Sequence, residues 1–103
     1  MSKEYKLSYL PVFDADLAEA WQYIAFKLKS PGAADQLVAD TKSAIKERQK
    51  APESFEKYNS KKARSYPYYR IHIRNFTVWY VVIGDIMEVR RFLYSKRNTE
   101  EFL

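Results

Sequence analysis

Apolar and polar positions along the chain change period twice. Residues 4–10, EYKLSYL, alternate, with Tyr5, Leu7 and Tyr9 on one side and Lys6 and Ser8 on the other. That period of two predicts a short, half-buried strand, closed by Pro11. From Asp14 the period lengthens. Leu17, Trp21, Ile24 and Leu28 recur at helical spacing through DADLAEAWQYIAFKLKS, with Asp14 placed as an N-cap. Asp16 and Glu19 come early and Lys27 and Lys29 late, an order that suits the helix dipole. SPGAADQLVADTKSAIKERQK predicts a second helix, with Ser30 as cap, Pro31 at the first helical position, and Ala34, Leu37, Val38, Thr41 and Ile45 as its inner stripe. The short connection predicts an antiparallel helical hairpin.

Beyond residue 50 the helical period stops. APESFEKYNSKKARSYP, bounded by prolines and rich in Lys, Ser and Asn, predicts a loop. Three strands follow, at about Tyr68–Arg74, Phe76–Ile83 and Ile86–Leu93, with turns at Arg74–Asn75 and Gly84–Asp85 that imply a meander. On the first of these, Tyr69, Ile71 and Ile73 face one way and Arg70, His72 and Arg74 the other. The middle strand is apolar in both parities. It offers either Thr77, Trp79 and Val81 or Phe76, Val78 and Tyr80 to a given face. On the last strand Met87, Val89 and Leu93 read as core, and Glu88, Arg90, Phe92 and Tyr94 as the opposite face. Arg91 falls on the core parity, which implies either a snorkelling side chain at the sheet edge or a bulge that shifts the register. The whole is an α+β fold in one domain spanning 1–103. Its order is strand–helix–helix–strand–strand–strand, with the helical hairpin packed on one face of a small, largely antiparallel four-stranded sheet. The other face is expected to be left to water or a ligand.

Composition narrows the chemistry. Hydrophobic residues make up 47% of the 103 and charged residues 30%, a globular balance. There is no cysteine and one histidine, so disulfides and thiolate sites are excluded, and a zinc site would need three carboxylates. No metal and no cofactor is therefore expected. Two glycines make a nucleotide-binding loop untenable. No apolar run approaches the roughly 20 residues of a membrane span, so the expectation is a cytoplasmic protein without membrane contact. The net charge of +5 is uneven. Residues 1–56 are nearly neutral, whereas 57–97 carry ten Lys/Arg against Asp85 and Glu88 alone. A basic half on a neutral scaffold points to a polyanionic or acidic partner.

That charge converges on the uncovered sheet face. Arg70, His72 and Arg74 from one strand and Arg90, Phe92 and Tyr94 from another would line it. The basic loop adds Lys61, Lys62 and Arg64 at its margin, and Lys96 follows the last strand. Cations interleaved with rings bind phosphates while stacking bases, and suit an acidic peptide equally. The plainer reading is a solvated basic face over core rings. Metal-free RNA cleavage would need a base, an acid and cations for the phosphate. His72 is the one side chain that ordinarily titrates near neutrality, and Arg70, Arg74 or Arg97 could stabilise charge.

The ordered set of YKLSYLPVFDADLAEAWQYIAFKL, AADQLVADTKSAIKERQKAPESF and YRIHIRNFTVWYVVIGDIMEVRRFLYSKRN resembles the RelE/ParE superfamily of toxins from bacterial type II toxin–antitoxin modules. The resemblance spans nearly the whole chain and implies a growth-inhibiting toxin neutralised by a cognate acidic antitoxin, which would wrap it and add a strand or helix. RelE-like members are ribosome-dependent mRNA endonucleases. For them Arg70, His72 and Arg97 match the basic catalytic positions, but the usual middle-strand arginine is Thr77 here, and Phe102 and Leu103 stand where a C-terminal tyrosine is typical. ParE-like members poison DNA gyrase without bond-making chemistry, using hairpin, basic loop and C-terminal segment as contact surfaces. The long hairpin and MEVRRFLYSKRN favour the ParE-like reading. A non-toxic RNA-binding module is the third.

Overall fold

The computed structural model describes residues 3–59, 62 and 64–103. Strand β1 (Lys6–Tyr9) leads into helix α1 (Pro11–Gln22), which continues through a π-helical turn (Tyr23–Lys27) and reverses into α2 (Pro31–Arg48). Strands β2 (Tyr69–Ile73), β3 (Phe76–Ile83) and β4 (Ile86–Tyr94) form the meander, and a 3₁₀ turn (Thr99–Glu101) precedes the C-terminus. The sheet order is β1-β4-β3-β2, with β1 parallel to β4 and the rest antiparallel. The expected α+β architecture is the observed one. The Gly84 turn has φ +62°, a conformation in which a side chain is strained, and joins β3 to β4 in two residues.

Local chemistry moves the start of α1. Asp14 does not cap it: the helix begins at Pro11, after an extended Leu10. Proline suits that position because its missing N–H would have had no intrahelical acceptor. Ser30 does precede α2, but its hydroxyl donates to the Leu28 carbonyl rather than capping the helix.

The helices cover one face of the sheet. Phe13, Leu17 and Ala20 of α1 and Leu37 and Ile45 of α2 pack on Tyr69, Ile71, Val78, Tyr80, Met87, Val89 and Phe92. The middle strand's parity is thereby settled, with Phe76, Val78 and Tyr80 towards the helices. Leu28 leaves the expected stripe. The Leu28 N–H bonds back to the Tyr23 carbonyl at 3.1 Å, one residue further than an α-helix reaches, and the extra residue rotates the helix face. Ala25 is buried in its stead.

Arg91 marks a bulge. Trp79 pairs with Arg91 and Tyr80 with Val89, so Arg90 is the extra residue on β4. The bulge inverts parity beyond it. Phe92 enters the helix-side core, where the alternation had put Leu93, and Leu93 turns to the opposite face.

Candidate functional site

The face opposite the helices is not open. Tyr68, Trp79, Val81 and Leu93, none more than 4% exposed, form a second core there, with Tyr58, Ile83, Phe102 and Leu103 packed on it. The loop and the C-terminal residues supply this cover. Tyr58 and Tyr68 meet the Trp79 ring edge-on at 4.8 and 6.1 Å. The expectation of a face left to water or a ligand is therefore overturned, because Trp79, Val81 and Leu93 present too much apolar area to stay wet.

The basic loop is part of that cover. Arg64 donates to the Leu103 carbonyl at 2.8 Å and to Glu100 at 3.3 Å, and lies 5.1 Å over the Tyr68 ring. Lys62 donates to the Glu100 carbonyl and Tyr58 to the Glu100 carboxylate. Lys61, also expected to bind, lies outside the described residues. Arg90 ion-pairs with Glu88 at 2.7 Å and reaches the Tyr68 hydroxyl.

At the rim beyond this cover sit Arg70 and His72, on one face of β2 as their spacing requires. Arg70 is half-buried, 5.1 Å over the Tyr58 ring. His72 is exposed, and its Nδ1 lies 3.2 Å from the Thr77 hydroxyl, which lies 2.8 Å from the Ser95 hydroxyl. Thr77 itself is buried. Arg74 does not join them. It occupies the turn after β2 at φ +52°, and its guanidinium pairs with Asp40 of α2 on the helix side. Hydrogen bonds from Gln36 and Arg74 hold the Asp40 carboxyl below its usual range. Lys96 and Arg97 are exposed in the segment after β4, and Arg97 turns to Phe102, 5.3 Å from its ring. Of the three residues matching catalytic positions, Arg70 and His72 lie together on β2, and Arg97 follows β4 with its guanidinium over the Phe102 ring.

Phe92 and Tyr94 are also displaced from that face. Phe92 is 3% exposed and stacks on Phe76 at 4.8 Å, so it offers no surface. Tyr94 projects on the helix side, into a cleft of about 260 Å³ between α1 and the β3–β4 end that Tyr23, Phe76 and Arg97 also line. Asp16 forms the cleft's floor. Its carboxylate accepts two bonds from Arg91, at 2.7 and 3.0 Å, and one from the Phe92 backbone N–H at 3.0 Å. The hydrogen bond to Asp16 raises the Arg91 pKa further above its already high ordinary value. β1 ends opposite Val89, and Asp16 takes over the ladder edge that β1 leaves unpaired.

Sequence reasoning missed Asp16, Ser95 and Arg48 as positioning residues. Arg48 donates to the Arg70 carbonyl at 3.0 Å and to the Tyr80 hydroxyl at 2.9 Å, while Tyr80 donates to the Pro52 carbonyl at 2.7 Å. This fixes the end of α2, the β2 edge and the start of the loop together. Only Arg91, a cation on a core parity, signalled a buried acidic partner. Among the described residues no helix is long and apolar enough to cross a membrane, and no cluster of His, Cys, Asp and Glu could hold a metal.

The family model described as the ParE toxin of type II toxin–antitoxin system, parDE, matches residues 7–99. Among solved structures, a chain of the chromosomal ParDE TA system from P. aeruginosa shares the fold, with a TM-score of 0.75 at 17% identity over 90% of this chain and 98% of that one. No curated protein matches the chain.

Proposed function

The chain belongs to the ParE toxin family of type II toxin–antitoxin systems, and from that premise we propose that it arrests growth by binding DNA gyrase in the cytoplasm rather than by cutting RNA. The engagement of the nuclease-like cations with partners of their own supports this reading. A metal-free nuclease must hold its acid, base and phosphate-stabilising cations around one phosphate. Here Arg74 is paired with Asp40, Arg97 lies over Phe102, and the middle strand supplies Thr77 in place of a cation. An inhibitor that acts by contact needs none of them assembled.

As a family toxin the protein has an antitoxin for a partner. We assign that antitoxin an acidic segment. The net positive charge of 57–97 attracts it.

One observation favours the ribosome-dependent nuclease as a second reading. The His72–Thr77–Ser95 chain places an imidazole and two hydroxyls in series beside Arg70. Growth arrest on induced expression separates the two. His72→Ala and Arg97→Ala are expected to arrest growth as the unchanged protein does. Loss of arrest by His72→Ala at equal abundance and unchanged melting temperature would establish the nuclease.

A further inference from the structure

Phe26 is a large apolar side chain held out in water. It is 70% exposed, and Leu28, two residues on, is 54% exposed. The π-turn accounts for both: its extra residue rotates the helix face, so that Ala25 packs inward while Phe26 and Leu28 do not. The Phe26 ring is not loose. Trp21 meets it edge-on at 5.6 Å, and the Trp21 indole N–H donates to Asp35 at 2.8 Å. Burial would stabilise such a ring, so a fixed and exposed one is a contact left unmade within the chain.

A receptacle of matching chemistry lies on the same chain. The cleft between α1 and the β3–β4 end is walled by the rings of Tyr23, Phe76 and Tyr94, of which Tyr23 and Tyr94 are themselves exposed. Phe26 does not line this cleft in its own chain. The cleft volume of about 260 Å³ falls below the roughly 300–1,000 Å³ of small-molecule pockets and suits one inserted side chain. Walls made of rings favour an aromatic one, since edge-to-face and offset contacts add to burial.

Charge repeats the match. Glu19 borders the cleft and Lys27 follows Phe26; both are exposed, and neither forms an ion pair among the described residues. Arg97 also borders the cleft, but its guanidinium lies over the Phe102 ring. Knob and cleft, cation and acid, are thus present in complementary form near the C-terminal end of α1. A surface complementary to itself is what a two-fold dimer requires, because each contact then occurs twice.

We propose that this protein self-associates as a two-fold dimer: Phe26 of each copy enters the Tyr23–Phe76–Tyr94 cleft of the other, and Lys27 of each pairs with Glu19 of the other. The dimer covers the apolar end of the hairpin and leaves Arg70 and His72, on the opposite face of the sheet, uncovered. It stands apart from the choice of target, since it concerns the contact of the toxin with itself.

Sedimentation equilibrium of the purified chain over a series of concentrations reads the association directly. The unchanged protein is expected to approach twice the mass of the chain. Phe26→Ser is expected to raise the dimer dissociation constant by roughly 30-fold or more, the loss that marks a central anchor. Glu19→Lys and Lys27→Glu should each weaken the dimer, and the double variant should restore it, because the exchanged charges pair again. All three positions are exposed, so unchanged circular dichroism is expected of every variant. The mass of one chain at every concentration would overturn the proposal, and weakened growth arrest by Phe26→Ser would then assign the ring to a different protein. A dimer that survives Phe26→Ser, or charge reversals that fail to rescue each other, would overturn it equally.

Discussion

Replacing Asp16 with alanine tests how the bulged strand is held. The Asp16 carboxylate is 11% exposed and Arg91 18%, so solvent screens their pair little. Asp16→Ala removes a bidentate, charge-assisted pair and leaves the Phe92 N–H at an uncovered edge. Losing one member of a buried pair costs about 3–5 kcal/mol, and some water access at this edge brings the expectation to about 3 kcal/mol. For a chain of this size that is a fall in melting temperature of about 12–20 °C. Arg91→Met keeps the stem's packing and leaves Asp16 its backbone bond but strands its charge, so about 3 kcal/mol is expected here too. Because the two residues share one interaction, the double variant should be less destabilised than the sum by about 1–2 kcal/mol. Urea denaturation of the four proteins measures all of this. Additive losses, or an Asp16→Ala cost below about 1 kcal/mol, would refute the claim that Asp16 replaces β1 along the strand edge.

Tyr80→Phe strands the Pro52 carbonyl and one Arg48 donor, for an expected loss of about 1.5–3 kcal/mol in urea denaturation. Burial raises the Tyr80 pKa above its ordinary value. Its folded value thus exceeds its unfolded one, and the stability it contributes is complete below about pH 10 and lost as pH rises through the folded value. The unchanged protein should therefore weaken more steeply above pH 10 than Tyr80→Phe, and parallel slopes would contradict the assignment. Deleting Phe102 and Leu103 uncovers Trp79 and releases one Arg64 contact. Both side chains are half-buried, so about 2 kcal/mol is expected, with red-shifted tryptophan emission. An unchanged spectrum and midpoint would mean that these residues do not cover the sheet.

The sheet and hairpin were legible because their periods are regular over many residues, as in Tyr69–Ile71–Ile73 and Leu37–Thr41–Ile45. The exceptions were legible only as anomalies. Arg91 on a core parity announced an irregularity but fitted a snorkel and a bulge equally. The choice depended on Asp16, which is far away in sequence. Phe92 and Leu93 are both apolar, so their exchange of faces left no trace in the pattern. The π-turn was hidden likewise, since Ile24 and Leu28 keep helical spacing whether or not the helix gains a residue. The second core could have been anticipated. FTVWYVVI is apolar in both parities, which implies burial on both faces. Its cover was split between Tyr58 in a polar loop and Phe102–Leu103 in a polar tail, segments with no periodicity to read.

Of the site, the pairing of Arg70 with His72 followed from alternation. The departure of Arg74 did not, because a left-handed turn residue escapes the strand's parity. Nor did the inward direction of Arg64, since unpaired cations and ion-paired ones read alike until their partners are placed.

The most direct test of contact inhibition is to incubate purified toxin with DNA gyrase, ATP and relaxed plasmid, and to follow supercoiling and trapped cleaved DNA. Primer extension on an mRNA translated with the same preparation completes the measurement. Inhibited supercoiling or accumulated cleaved plasmid, undiminished in His72→Ala, with an intact message, is the predicted result. A message cut on the ribosome in a His72-dependent manner, with gyrase unaffected, would contradict it.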